Sequence, residues 1–142
     1  MEKVKQLLKK KSHHIWTIHP DATVYEAIEL MATKEIGTLL VIEGARLVGM
    51  FSERDYLRNG ILKGRLSKDT EVREVMTTDL IYVDPDATVE ECMELMTTER
   101  VRHLPVMVGD HLMGIVSMGD LVKTVIDEQQ FMIKQLETYI GG

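Results

Sequence analysis

The chain has 142 residues and a mass of 16.2 kDa, with 44% hydrophobic and 28% charged residues. That balance excludes disordered and fibrous classes and fits one ordinary domain, or two small units sharing a core. The formal charge of -6 is uneven: residues 1–14 carry five lysines against one glutamate (+4), leaving 12 basic and 22 acidic residues (-10) for the rest. An acidic body of this kind disfavours a broad nucleic-acid footprint, which needs clustered Lys and Arg against phosphates.

Apolar runs such as Thr38–Ile42 and Leu112–Val116 are far too short to span a bilayer. The opening Met-Glu-Lys-Val-Lys has no apolar stretch of secretory type. The single cysteine, Cys92, cannot form an internal disulfide, so the expected location is the cytoplasm.

Sliding the sequence by 65 residues aligns Pro20–Leu57 with Pro85–Val122 without a gap, and 17 of the 38 positions are identical. The chain is therefore two copies of one supersecondary unit. Taken in chain order, Val4, Leu7 and Leu8 have the spacing of Val72, Val75 and Met76, which predicts a short helix before each copy. Lys9-Lys10-Lys11 at the end of the first complements the helix dipole. A short strand follows in each copy, Ile15–Ile18 and Leu80–Val83, running into a Pro-Asp turn.

Thr23-x-x-Glu26 and Thr88-x-x-Glu91 predict capping boxes. The helices they open carry apolar residues at helical spacing: Val24, Ala27, Ile28, Met31 and Val89, Cys92, Met93, Met96. Cys92 thus belongs to a buried stripe rather than a reactive site. Two strands about a glycine turn come next, Thr38–Glu43 and Arg46–Phe51 about Gly44-Ala45, then Leu104–Val108 and His111–Val116 about Gly109-Asp110.

A second helix begins at Ser52 or Ser117, giving β-α-β-β-α. One such unit of about 50 residues buries too little surface alone. The expected fold class is α+β, two repeats packed sheet to sheet about a pseudo-twofold axis with a C-terminal helical extension. That last helix, expected over about 118–140, carries Val122, Ile126, Gln129, Ile133, Leu136 and Ile140 at 4-3-4-3-4 spacing, a heptad seam. It serves either the chain's own core or self-association.

No catalytic set is visible. The five histidines (His13, His14, His19, His103, His111) show no metal-ligand spacing, and neither a Gly-x-Ser-x-Gly elbow nor a phosphate-binding glycine loop occurs. What stands out is a doubled corner, Gly49-Met50-Phe51-Ser52-Glu53-Arg54-Asp55 and Gly114-Ile115-Val116-Ser117-Met118-Gly119-Asp120.

Ser with Asp three residues on can be plain helix capping. It can also be a site. Gly49 or Gly114 would admit a ligand to the backbone, Ser52 or Ser117 and helix N–H groups would bind phosphate, and Asp55 or Asp120 would accept from a ribose diol. Gly119 costs helix propensity beside Asp120, as if something packs there. Arg102 and His103 stand at the entrance to a strand whose Pro105 marks an edge or bulge; Gly37 and Thr38 are their counterparts, so the second corner is the better anion site.

The doubled Pro-Asp-Ala-Thr-Val helix start, the two Gly-x-x-Ser-x-x-Asp corners, Arg-His-Leu-Pro-Val and Val72-Arg73-Glu74-Val75-Met76-Thr77 together resemble a tandem cystathionine beta-synthase (CBS) domain pair, or Bateman module, of the stand-alone type. The resemblance covers residues 2–127. It divides the chain into an N-terminal helix and basic loop (1–14), repeat 1 (15–60), a linker (61–79), repeat 2 (80–126) and a helical extension (127–142).

The resemblance implies a non-enzymatic regulatory module for an adenosine ligand, AMP first, with ADP, ATP, NAD(H) or S-adenosylmethionine as alternatives. Asp55 and Asp120 would hold ribose, and Ser52, Ser117, Arg102, His103 and Arg54 phosphate. Thr38, Gly114 and a slot near Thr17, Ile18 and Val83 would complete the sites. Homodimers or higher homo-oligomers and a separate regulated protein are the expected partners, with no nucleic acid and no membrane. The rival readings are a structural or oligomerisation module without a ligand, and an enzyme acting on the nucleotide.

Overall fold

The doubled hydrophobic periodicity of the sequence becomes a doubled set of elements in the computed structural model, which describes residues 2–10 and 15–141. In chain order these are α1 (Val4–Lys10), β1 (Thr17–Ile18), α2 (Val24–Lys34), β2 (Thr38–Glu43), β3 (Arg46–Ser52), α3 (Glu53–Asp55), α4 (Val89–Glu99), β4 (His103–Val108), β5 (His111–Ser117) and α5 (Met118–Gly141). Lys11, His13 and His14 lie outside the described residues. The chain forms two compact units, one of residues 15–80 with residues 109–112, the other of residues 2–10, 81–108 and 113–141.

In the first unit, β1 runs parallel to β2, with Thr17 opposite Leu40 and Ile18 opposite Val41. β2 and β3 form an antiparallel hairpin closed by Glu43 opposite Arg46. Gly44 makes the turn at φ 63°, a conformation that favours glycine. Val41 faces Gly49 while Ile42 faces Leu47, so Val48 is the extra residue of a β-bulge. Val24, Ala27 and Met31 of α2 pack on Leu39, Val41 and Phe51.

The second unit repeats this core with Val89, Cys92 and Met96 of α4 on Leu104, Val106 and Val116. The stripes read from helical spacing are the buried ones. Ile28 and Met93 sit at their margins, partly buried.

The strand expected over Leu80–Val83 is reduced to one bridge, Val83 to Val106. Pro105 supplies the reason. In the first unit the Leu40 N–H donates to the Trp16 carbonyl (3.3 Å), extending the β1 pairing. Pro105 is the counterpart of Leu40 and has no N–H to give Ile81. Only the Val83 N–H to Pro105 carbonyl (3.0 Å) and Met107 N–H to Val83 carbonyl (2.9 Å) bonds are left. β1 itself is shorter than the expected Ile15–Ile18, and the helix expected after Ser52 is a single α turn passing into a π turn (Tyr56–Gly60) and a 3₁₀ turn (Ile61–Lys63).

The capping boxes of α2 and α4 form by halves. Thr23 Oγ1 accepts from the Glu26 N–H and Thr88 Oγ1 from the Glu91 N–H, both at 3.1 Å. The other first-turn donors are not met by the glutamates but by a distant stretch of chain. The Val24 N–H donates to the Thr70 carbonyl (2.8 Å) and the Tyr25 N–H to Ser67 (3.0 Å). In return the Val72 N–H donates to Ala22 (2.8 Å) and the Arg73 N–H to Pro20 (3.0 Å).

Residues 2–5 do the same for α4. The Val89 N–H donates to Glu2 (3.0 Å), the Val4 N–H to Ala87 (2.9 Å) and the Lys5 N–H to Pro85 (3.1 Å). Val4 and Leu7 are buried in the second core, and Val72 and Val75 in the first. The matched apolar triads of the sequence are thus equivalent clamps, but neither serves the copy it precedes. The N-terminal clamp closes repeat 2 and the linker clamp closes repeat 1. The linker clamp, moreover, is only a 3₁₀ turn, Val72–Glu74, with the Glu71 N–H donating to Glu74 Oε2 (2.8 Å).

Each clamp also sets a cation on the Pro-Asp turn. Arg73 Nη2 donates to Asp21 Oδ1 at 2.5 Å, and Lys5 Nζ lies 3.0 Å from Asp86 Oδ1. The hydrogen bond from Arg73 holds the Asp21 carboxyl below its ordinary value, and that from Lys5 does so for Asp86.

Two outcomes test this arrangement. Deleting residues 1–8 will raise amide exchange across residues 81–125 while residues 15–80 keep their protection; the reverse pattern would contradict the crossed clamps. Because both aspartates titrate lower in the folded chain, their support is complete above about pH 5 and is lost as pH falls through the folded values. The loss of urea stability between pH 7 and pH 3 should therefore be smaller in Asp21→Asn/Asp86→Asn than in the natural chain.

Candidate functional site

Each hairpin ends by turning into a helix, and that turn is where the candidate residues converge. Ser52 is extended (φ -124°, ψ 168°) and caps α3. Its N–H donates to Asp55 Oδ2 (2.9 Å), its hydroxyl donates to the same oxygen (3.0 Å), and its Oγ accepts from the Asp55 N–H (3.2 Å). The Thr77 hydroxyl donates to Asp55 Oδ1 at 2.8 Å. Both carboxylate oxygens of Asp55 are therefore used within the chain, and the residue is only 8% exposed.

The second corner has the same frame. The Ser117 N–H donates to Asp120 Oδ2 (2.8 Å), and Ser117 Oγ accepts from the Asp120 N–H (3.1 Å). Here the aspartate is half-buried rather than buried.

The entry to the preceding strand is tied to each helix start. The Glu53 N–H donates to the Gly37 carbonyl (3.0 Å) and the Met118 N–H to the Arg102 carbonyl (2.9 Å). This bond brings Arg102, and with it His103, to the corner holding Ser117 and Asp120. Arg102 is exposed and His103 half-buried. In the first unit the same bond brings only Gly37 and Thr38, the latter paired with Ser52. Arg54 sits beside that corner with an exposed side chain.

The remaining candidates have other surroundings. Ile18 and Val83 pack against the two cores, so each can offer a ligand little beyond its main chain, while Thr17 is exposed. Gly114 is buried on β5. Gly49 corrects an expectation: what approaches its backbone is the chain itself. A Cβ there would lie 2.7 Å from Met76 Sδ and 2.9 Å from the Thr77 carbonyl. Met50 and Thr77 exchange both backbone hydrogen bonds at 2.9 and 2.8 Å, so the linker occupies the space the glycine opens. Gly119 has room, its virtual Cβ meeting only Ser117 Oγ at 3.7 Å.

Sequence reasoning missed Thr77 as the partner of Asp55, because nothing local marks two residues 22 positions apart as neighbours. It also missed an open cleft of about 1020 Å³ along α1 and α5, which Asp120 lines with Glu2, Glu90, Asp127 and Glu128 against Lys10 and Lys123. Its acidic excess is unsuited to phosphate. The Glu2 carboxylate accepts from Lys10 Nζ at 2.8 Å, and that bond raises the lysine's pKa.

His19, Asp21 and Glu43 gather at the surface, but Arg73 donates to both acids and already supplies the cation. Cys92 is buried, and loss of solvent pushes its thiol up to about 11, which removes it as a nucleophile.

Two β-α-β-β-α-type repeats, each turning from its hairpin into a helix at a Ser-x-x-Asp cap, define a paired-repeat module of the CBS class. The CBS domain sequence profile matches residues 4–61 and 72–127, and the chain belongs to the CBS-domain family. It is 42% identical over 127 residues to the mitochondrial CBS domain-containing protein CBSX3 of Arabidopsis thaliana, covering 86% of this chain and 62% of that protein. A CBS-domain protein structure from Burkholderia ambifaria superposes with a TM-score of 0.84 at 48% identity, covering 90% of this chain and 96% of that one. The inosine-5'-monophosphate dehydrogenase of Methanocaldococcus jannaschii is 37% identical over 109 residues, 75% of this chain but 21% of the enzyme. Among the described residues no helix is long and apolar enough to cross a membrane.

The contact at Gly49 yields a direct test. Gly49→Ala should destabilise the fold by about 1–3 kcal/mol, since the added methyl meets the Thr77 backbone carbonyl as well as the Met76 side chain. Urea unfolding measures it, and an unchanged midpoint would show that the linker is not held against β3.

Proposed function

We propose that this chain is a non-catalytic regulatory module that binds an adenine nucleotide, AMP first, and acts on a separate protein. The observation that carries the reading is the Met118 N–H to Arg102 carbonyl bond, which ties the backbone of an always-charged residue to a serine-capped helix start. Arginine forks onto phosphate oxygens, and helix N-termini favour anions. In this reading the half-buried Asp120 carboxylate accepts from the ribose hydroxyls. His103, next in the strand, is the second phosphate contact of this reading.

The two corners take different roles in this reading. Asp55 is buried and already accepts from Ser52 and Thr77, and no arginine stands at position 37, so one nucleotide per chain is the proposed stoichiometry. The occurrence of a similar stretch as a minor part of a dehydrogenase supports a regulatory rather than catalytic role. Nucleotide binding would act by favouring one conformation of the module, which the partner protein then reads.

Titration calorimetry with AMP and adenosine tests the proposal. AMP should bind at one site per chain. Arg102→Ala should weaken AMP by about 10- to 100-fold while leaving adenosine nearly unchanged, because only the phosphate contact is lost. Asp120→Ala should weaken both ligands by about 1.5–3 kcal/mol. Equal AMP affinity in all three proteins would remove this corner from the function.

A further inference from the structure

Helix α5 outruns the core it is rooted in. Leu121 is its last buried residue and Val125 the last packed against the core, yet the helix continues to Gly141. At about 100° per residue, Asp120, Thr124, Asp127, Phe131 and Gln135 share one face, and these residues line the cleft along α1. Val122, Ile126, Gln129, Ile133, Leu136 and Ile140 centre about 180° away. That seam is exposed: Ile133 at 54%, Leu136 at 55% and Ile140 at 82%. Water-facing Ile and Leu at heptad spacing are what two-stranded pairing buries.

We propose that α5 pairs with α5 of a second copy of this chain as an antiparallel two-stranded coiled coil. Ile126, Ile133 and Ile140 take the a positions, and Val122, Gln129 and Leu136 the d positions. Antiparallel layers then match Ile126 with the partner's Leu136, Ile133 with the partner's Gln129, and Ile140 with the partner's Val122.

Charge decides the direction. The flanking e positions hold Lys123, Gln130 and Glu137, so antiparallel chains set Lys123 against the partner's Glu137 twice over and Gln130 against itself. Of the g positions, Met132 meets its own copy and Tyr139 widens the apolar strip, while Val125 stays against the chain's own core. In a parallel pair Lys123 would face Met118 and Glu137 would face Met132, with no opposite charge at either place. Antiparallel helices also align their dipoles favourably. The two Gln129 amides fall about 6 Å apart along the axis, within reach of each other, so neither orientation leaves them unpaired.

Oxidative cross-linking of single-cysteine variants reads the orientation. The natural Cys92 is buried and does not compete. Met132→Cys should form a disulfide-linked dimer, because residue 132 meets its own copy at the centre of the antiparallel pair. Leu136→Cys should not, since its copies lie about 15 Å apart along the axis. Adding Ile133→Lys to Met132→Cys should abolish the cross-link.

Sedimentation of Lys123→Glu should show self-association weakened by about three- to tenfold, with Lys123→Glu/Glu137→Lys restoring it. All these substitutions fall on exposed helix positions, so folding is retained. A cross-link through Leu136→Cys instead, persistence of the Met132→Cys cross-link with Ile133→Lys, or indifference to the charge reversal overturns the proposal.

Discussion

An α-helix that starts against a sheet leaves its first backbone N–H groups without partners, and burying them unpaired is expensive. In this protein a threonine at each N-cap meets one of them. Others are met by a clamp from elsewhere in the chain, residues 67–73 for α2 and residues 2–5 for α4. Each clamp also adds two buried apolar side chains to the core and sets basic side chains on the Pro-Asp turn, Arg73 on Asp21 and Lys3 and Lys5 on Asp86. Without it, a repeat of this size would lack both core volume and hydrogen-bond closure.

The same local rule builds the corners that carry the proposed function. Ser and Asp three residues apart cap a helix start wherever the backbone permits it, so the frame of each corner comes with folding. What separates the two corners is added from outside. Thr77 returns with the linker and donates to Asp55 Oδ1. Arg102 is delivered to the other corner through its own carbonyl. Duplication thus produced two equivalent frames, and non-equivalent neighbours gave them different chemistry.

Pro105 shows how one residue can break the symmetry of a duplication. It keeps β4 in the sheet, where its carbonyl still accepts from Val83, yet it removes the donor that would lengthen the strand before α4. The backbone of residues 80–82 is therefore less tied to its sheet than that of residues 16–18. The ligand slot expected from the family resemblance falls on these two stretches. Of the residues named for it, Ile18 and Val83 are committed to packing.

By itself the sequence determined the repeat, the buried stripes of α2 and α4, the hairpins about Gly44 and Gly109, the Ser-x-x-Asp caps and the heptad seam of α5. All of these follow from periodicities and turn chemistry that act over a few residues. Only the tertiary structure decided which clamp closes which repeat, which atoms Asp55 spends on Thr77, and what fills the space beside Gly49. Those are pairings between residues far apart in the chain. Equivalent apolar triads look alike in sequence whichever core they enter, so local pattern could identify the clamps but not their partners.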